Sequence, residues 1–281
     1  MKEYLRGAIE MHVHTSPDVK PRKCGDLALA QRLRAAGMGG ALIKAHFCDT
    51  TARAAMLNEL YPELFFAGGV VLNRQAGGLN PFAVEACAKS GGRFVWFPTM
   101  DSLSYRRFLK TDSSDPSPET LLYLLDDSGE LKKAALEVLE AAAEYGMVAA
   151  TGHISAEEGM AVVRAAREMG VETVLTHADL PSNAYSLAQI EEAAALGAFV
   201  EHCYFTTHYG RVPIETIAAQ IRAAGCGHTY LSTDFGQPGS PYSDEGLASY
   251  GELLEKQGFT PEELSLMFRK VPEKLLKRFP C

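Results

Sequence analysis

Eight short apolar runs, each followed by a helix-like segment, constrain this chain most: Ala8–His14, Gly40–His46, Phe65–Leu72, Arg93–Thr99, Met147–His153, Thr173–His177, Ala198–Tyr204 and Thr229–Asp234. The amphipathic stretches between them include Leu27–Ala36, Leu131–Tyr145 and Ala156–Met169. Such alternation calls for parallel strands, because each helix carries the chain back before the next strand begins. Six of the helical stretches end in glycine (Gly37, Gly91, Gly146, Gly170, Gly197 and Gly225), the residue best suited to the left-handed conformation that closes a helix. Asp26, Ser155 and Ser186 stand where caps or first-turn acids belong. The expectation is an α/β protein forming one (β/α)8 TIM barrel over residues 1–281. A doubly wound open sheet would place a glycine-rich phosphate loop after its first strand, and the sequence there is His14-Thr15-Ser16-Pro17-Asp18. The one long interval, Asp101–Glu130 in the β4–α4 position, contains Ser113-Ser114-Asp115-Pro116-Ser117-Pro118 and reads as a lid or binding loop. The tail from Thr260 reads as C-terminal helices around the barrel.

Composition narrows the partners. With 47% apolar and 22% charged residues the chain has the make-up of a folded globular protein. A formal charge of −8 works against attraction to nucleic acid or an anionic membrane. No run approaches the roughly 18 apolar residues of a membrane span, and the first residues lack a signal-peptide apolar region. The six cysteines show no C-x-x-C spacing, so a zinc ribbon or thiol redox motif is not expected. These features predict a soluble cytoplasmic protein with reduced thiols and a small-molecule substrate, no nucleic-acid or membrane partner, and a homo-oligomeric state left open.

In a barrel of this kind the active site forms at the carboxyl ends of the strands. Of the eight histidines, His12, His14, His46, His153, His177 and His202 fall at those ends. His12 and His14 share one face of the first strand, and two converging imidazoles suit a transition metal. His153 is a candidate ligand or a helix cap, and His177 a ligand or a general acid/base. Lys44 and His46 share a strand face and are candidate substrate contacts, a buried hydrogen-bonded histidine being the alternative for His46. Asp234, ending the eighth strand, is a candidate acid/base beside metal-activated water, or a cap. Glu201 and His202 point to opposite sides of one strand, so one of them faces the interior. Arg74 is a candidate fork for a carboxylate or phosphate.

His12-x-His14 on the first strand, His153 on the fifth, His177 on the sixth and Asp234 on the eighth reproduce the ligand order of the amidohydrolase superfamily, which this chain resembles over nearly its whole length. The segments Ala150–Glu158, Gly197–His202 and Ser232–Gln237 are similar to an uncharacterised amidohydrolase-like branch. The resemblance implies a distorted (β/α)8 barrel with metal ligands His12, His14, His153, His177 and Asp234. Catalysis would fall to Asp234 and His177, and substrate contacts to Lys44, His46, Arg74 and His202. Two-metal members bridge their ions with a carboxylated lysine or a glutamate on the fourth strand. That strand here, Phe94–Thr99, has neither, which leaves Lys44 or Asp101 to substitute. One divalent ion is therefore expected, zinc first with manganese, iron or nickel as alternatives, and a second ion optional. The implied activity is metal-dependent hydrolysis of a small amide, cyclic amide, lactone or ester. The alternatives are a phosphoesterase of the polymerase-histidinol-phosphatase type, a metal-dependent decarboxylase or lyase, and a non-catalytic metal-binding barrel.

Overall fold

The computed structural model describes residues 2–109 and 121–276. Its elements alternate as the sequence requires. They run β1 (Ile9–Val13), α1 (Asp26–Ala35), β2 (Gly40–Ile43), α2 (Thr51–Leu60), β3 (Phe65–Ala67), β4 (Gly69–Val71), α3 (Pro81–Lys89), β5 (Phe94–Trp96), α4 (Leu103–Leu109) and α5 (Lys133–Glu144). They continue with β6 (Val148–Ala150), α6 (Ala156–Met169), β7 (Thr173–Leu175), α7 (Leu187–Ala195), β8 (Phe199–Cys203), α8 (Tyr204–His208), α9 (Ile214–Ala224) and β9 (Thr229–Ser232). The helices α10 (Ser243–Lys256), α11 (Pro261–Ser265) and α12 (Val271–Leu276) follow. All strand pairs are parallel, in two sheets ordered β1-β2-β3 and β4 through β9. The six helix-ending glycines all take positive φ. No helix among the described residues is long and apolar enough to cross a membrane.

The third expected strand is divided, and Thr50 is the reason. Its hydroxyl sits within hydrogen-bond distance of the carbonyls of Ile43 (2.7 Å) and Gly69 (3.2 Å) and accepts from Gly69 N at 3.0 Å. The side chain thus replaces a ladder bond where β3 ends and β4 begins. Residue 68 must be glycine there, since a Cβ would stand 2.6 Å from the Thr50 backbone. On the opposite side, β1 meets the segment after β9 through Asp234 N to His12 O (2.9 Å) and His14 N to Phe235 O (2.8 Å).

Strands end earlier than the apolar runs, and the candidate site residues fall in the difference. His14, Lys44, His46, Thr99, His153, His177 and Asp234 all lie one to three residues beyond the ladder ends. At two of these positions the backbone leaves the extended conformation. His177 (φ 49°) and Asp234 (φ 54°) occupy the left-handed region that non-glycine residues seldom adopt. Gly152, just before His153, has φ 63°, and a Cβ there would stand 2.2 Å from the Phe97 carbonyl.

The apolar core is layered. Ile9, Met11, Leu42, Phe94, Trp96, Phe199 and Tyr230 from the strands cluster with Val271, Leu275 and Leu276 of α12, so the last helix packs onto the strands. Of the interval Asp101–Glu130, residues 101–109 and 121–130 are described. They form α4, the bridges Ser102 to Leu122 and Leu125 to Leu131, and the buried residues Leu124 and Leu125. Its Ser113–Pro118 portion lies outside the described residues.

Glu10 fastens β1 to the segment after β9. It is wholly buried, and its carboxyl accepts His12 N (3.1 Å), Thr233 N (3.0 Å) and the Thr233 hydroxyl (2.7 Å). Glu10→Ala would strand two backbone N–H groups, each costing about 1–3 kcal/mol when buried without a partner. Urea unfolding should show a loss of about 3 kcal/mol or more for Glu10→Ala and roughly 1 kcal/mol for Glu10→Gln. Burial also pushes the Glu10 pKa up to about 8. The folded state therefore holds this proton more tightly than the unfolded chain, and the stability so contributed is lost as pH rises through that value. Glu10→Gln should flatten this decline.

Candidate metal centre

The centre is built on His12 of β1 and His14 just beyond its end. His12 Nδ1 lies 3.0 Å from Glu201 Oε1, which also accepts the Ser232 hydroxyl at 3.0 Å. A carboxyl oxygen accepts, so Nδ1 carries the imidazole proton and Nε2 presents a bare lone pair. Carboxylate partners of this kind orient metal-binding histidines. Nε2 of His12 lies 3.2 Å, and Nε2 of His14 3.1 Å, from the same oxygen, Asp234 Oδ1. Nε2 of His177 is 3.8 Å from Oδ2. Ligand atoms held at about 2.0–2.1 Å by a tetrahedral ion lie roughly 3.3 Å apart, so this spacing suits one metal.

Burial leaves these atoms without protein partners. Nε2 of His12 and His14, both nitrogens of His153, Nδ1 of His177 and Nζ of Lys44 are buried and unbonded among the described residues. Native interiors rarely strand polar groups, and a shared cation would satisfy the imidazoles together. The charge state agrees. Burial pushes the pKa values of His12, His14, His46 and His153 down, most strongly for His12, His46 and His153, with neighbouring cationic groups adding to it. Desolvation alone would raise Asp234, and positive charge at His12, His14 and His177 is what outweighs it and holds the carboxyl well below its usual range; with the imidazoles neutral, that charge would have to come from a bound cation. Neutral imidazoles around an ionised carboxylate form a donor set ready for a divalent ion.

The remaining residues fall into place around this set. Ligand atoms of His12, His14 and Asp234, and of His12, His177, Glu201 and Cys203, lie within 4.8 Å of one another. Burial holds Cys203 as a thiol. His153 lies beside His177, its ring tilted by 53° with centroids 5.2 Å apart, and falls outside both groups. Tyr105 of α4 covers it at 4.6 Å. Lys44 is fully buried with its amine 5.3 Å from the Trp96 ring, and burial lowers its pKa. His46 lies against His14 at 4.8 Å. Arg22, anchored by Asp18 at 2.7 Å, places Nη2 3.3 Å from His14 Nδ1.

Three sequence candidates sit away from the cluster. On β8 it is Glu201 that faces His12, while His202 is turned to Asp179, with Nδ1 3.2 Å from Oδ1. Both oxygens of Asp101 engage Arg74, at its backbone N (2.9 Å) and Nε (3.1 Å). Arg74 itself is 43% exposed. Sequence reasoning passed over Glu10, although its two-residue spacing from His12 on a buried strand was visible. Nothing in the sequence marked the hydrogen bonds of Asn73 and Thr99.

Residues 7–201 match a family of unknown function, DUF6282. No curated protein sequence matches the chain. Similar solved structures include an amidohydrolase from Pseudomonas aeruginosa, with TM-score 0.65 and 12% identity, covering 98% of this chain and 97% of that one. The phosphotriesterase homology protein from Escherichia coli, complexed with phosphate in its active site, gives 0.62 and 18%, covering 97% and 99%. A 2,6-dihydroxybenzoate decarboxylase from Rhizobium gives 0.54 and 11%, covering 97% and 99%. The fold is that of the amidohydrolase superfamily.

Two outcomes follow for metal binding. Glu201→Gln should weaken affinity about 10–100-fold, the usual effect of losing an orienting carboxylate, as read by competition with a chromophoric chelator. Protons compete with a metal only below the pKa of each ligand, and those of His12, His14 and Asp234 are depressed. Affinity should therefore stay level as pH falls past the ordinary histidine range and decline only at more acidic pH; a decline centred near pH 6.5, the unperturbed histidine value, would contradict the buried neutral cluster.

Proposed function

The chain belongs to the DUF6282 family, and we propose that it is a metal-dependent hydrolase of a small amide, cyclic amide, lactone or ester. The observation that carries this reading is the convergence of His12 Nε2 and His14 Nε2 on Asp234 Oδ1 at 3.1–3.2 Å, with neither nitrogen given another hydrogen-bond partner among the described residues. His12, His14, Asp234 and His177 would hold one divalent ion, with zinc the first choice for this N/O set. When bound, such an ion lowers the pKa of water towards about 7 and polarises a substrate oxygen.

The chain's own groups supply the rest. Asp234, ionised and 15% exposed at its side chain, accepts the proton of the attacking water through Oδ2 and returns it to the leaving group. His177, 3.8 Å from that oxygen, steadies the carboxylate and can share the proton. Lys44 and His46 offer N–H donors to the substrate. Tyr105, over His153, narrows the mouth and limits bulk water. The buried neutral imidazoles keep competing protons off the site. Five described cysteines are free, which suits the cytoplasmic setting proposed for this enzyme.

A phosphoesterase of the polymerase-histidinol-phosphatase type would use the second-strand histidine as a ligand and a glutamate after the third strand. Here His46 is bonded to Thr99, and the corresponding Asn73 holds backbone groups, so hydrolysis at carbon is favoured.

Metal-loaded protein screened against lactones, N-acyl amino acids, dihydropyrimidines and p-nitrophenyl esters and phosphates tests the reading. Turnover should appear with a carbon ester or amide and vanish on chelation; turnover of phosphates alone would move the assignment to the phosphoesterase. Asp234→Asn should retain most metal and lower kcat about 10²–10⁴-fold, the contribution of a positioned acid/base. Near-wild-type kcat in that variant would transfer the proton role to His177.

A further inference from the structure

His46 differs from the other histidines of the cluster because its proton can be located. Its Nδ1 lies 2.8 Å from the Thr99 hydroxyl. The bonds around Asn73 decide which group donates. Asn73 is wholly buried. One end of its amide lies 2.9 Å from Thr99 N and 3.2 Å from Asp101 N, which only donate, so that end is the oxygen. The other end lies 2.9 Å from the His46 carbonyl, which only accepts, so it is the NH2 group. Its second hydrogen goes to Thr99 Oγ1, also at 2.9 Å.

The Thr99 hydroxyl is therefore an acceptor towards Asn73 and has one hydrogen left to place. Thr99 is wholly buried, and His46 Nδ1 is its remaining partner among the described residues. A proton on Nδ1 would leave that hydroxyl hydrogen stranded, at about 1–3 kcal/mol for an unpaired buried donor. A bare Nδ1 uses every polar hydrogen in the chain of bonds. The imidazole proton then sits on Nε2, which has no protein partner among the described residues and is not sealed from solvent. The ring lies 4.8 Å from His14 and 5.8 Å from His153, at the edge of the metal cluster.

We propose that Asn73 and Thr99 are positioning residues that hold His46 as its Nε2–H tautomer, making His46 a hydrogen-bond donor to a substrate oxygen that gains negative charge. His46 is then a catalytic residue and not a metal ligand. The role rests on the hydrolase reading above; the tautomer does not. A fixed neutral N–H stabilises developing charge without first being reoriented, and it places no full positive charge beside a bound cation.

Histidine-labelled, zinc-loaded protein, examined by two-bond 1H–15N correlation with His46→Gln as the assignment control, reads the tautomer directly. The expected spectrum has His46 Nε2 protonated and Nδ1 bare at neutral pH. Thr99→Val should mix the tautomers and Thr99→Ser should restore the original one, with zinc stoichiometry unchanged in both. Orthophosphate serves as an oxyanion probe: it should shift the His46 Nε2–H resonance, and its affinity should fall at least about tenfold in His46→Ala. On any substrate found, His46→Ala should lower kcat about 10²–10³-fold, the loss typical of one oxyanion donor, and Thr99→Val should lower kcat more than it changes KM. A wild-type Nδ1–H tautomer overturns the proposal, as does loss of zinc in both His46→Ala and His46→Gln, or phosphate binding indifferent to His46. If the tautomer and the phosphate results hold while no substrate turns over, the hydrolase reading fails and the donor assignment stands.

Discussion

The junction between β1 and the segment after β9 is the contact on which the other features depend. Two backbone bonds, Asp234 N to His12 O and His14 N to Phe235 O, set the two segments side by side. The same register brings Asp234 Oδ1 against Nε2 of both histidines. Glu10 completes the junction by accepting backbone N–H groups from both sides. A glycine at 236 is part of the fit, because a Cβ there would stand 2.0 Å from the His14 carbonyl. The contact between β1 and the segment after β9 and the geometry of the His12, His14 and Asp234 cluster are therefore one structural event, and damage to either should be felt in both.

A concentrated set of buried polar groups follows from that junction. Taking imidazoles, a lysine and carboxyl groups out of water is costly unless partners replace the solvent. The structure supplies partners on one flank only. Glu201, itself held by Ser232, serves His12, Arg22 reaches His14, and Thr99 serves His46. The inward nitrogens of His12, His14 and His153 have no hydrogen-bond partner among the described residues. That asymmetry distinguishes a binding site from a satisfied polar core: outer atoms fix orientation and tautomer, and inner atoms are held ready for an ion or substrate. The positive φ of His177 and Asp234 belongs to the same pattern, since conformations of this type persist where surrounding contacts enforce them.

Much of this could be read from the sequence. The apolar runs and glycine-terminated helices carried the α/β plan, because local periodicity records which face of each element is buried. The strand-end histidines and Asp234 were legible because a parallel barrel places its strand ends together. Strand limits were read too long, since an apolar residue looks the same on the ladder as in the turn that aims a ligand inward. Splitting of the third strand depended on the Thr50 hydroxyl, which reaches it from the α2 side.

The sequence by itself determined the alternation of elements and which chemical groups gather at the strand ends, because both follow from spacing along one segment. Only the tertiary structure decided that Glu201 rather than His202 faces His12, that Asp101 is taken by Arg74, and that Asn73 and Thr99 determine the His46 tautomer. Each of these depends on the register between segments far apart in the chain. A shift of one residue in that register turns a side chain to the other face, and no pattern within a single segment records it.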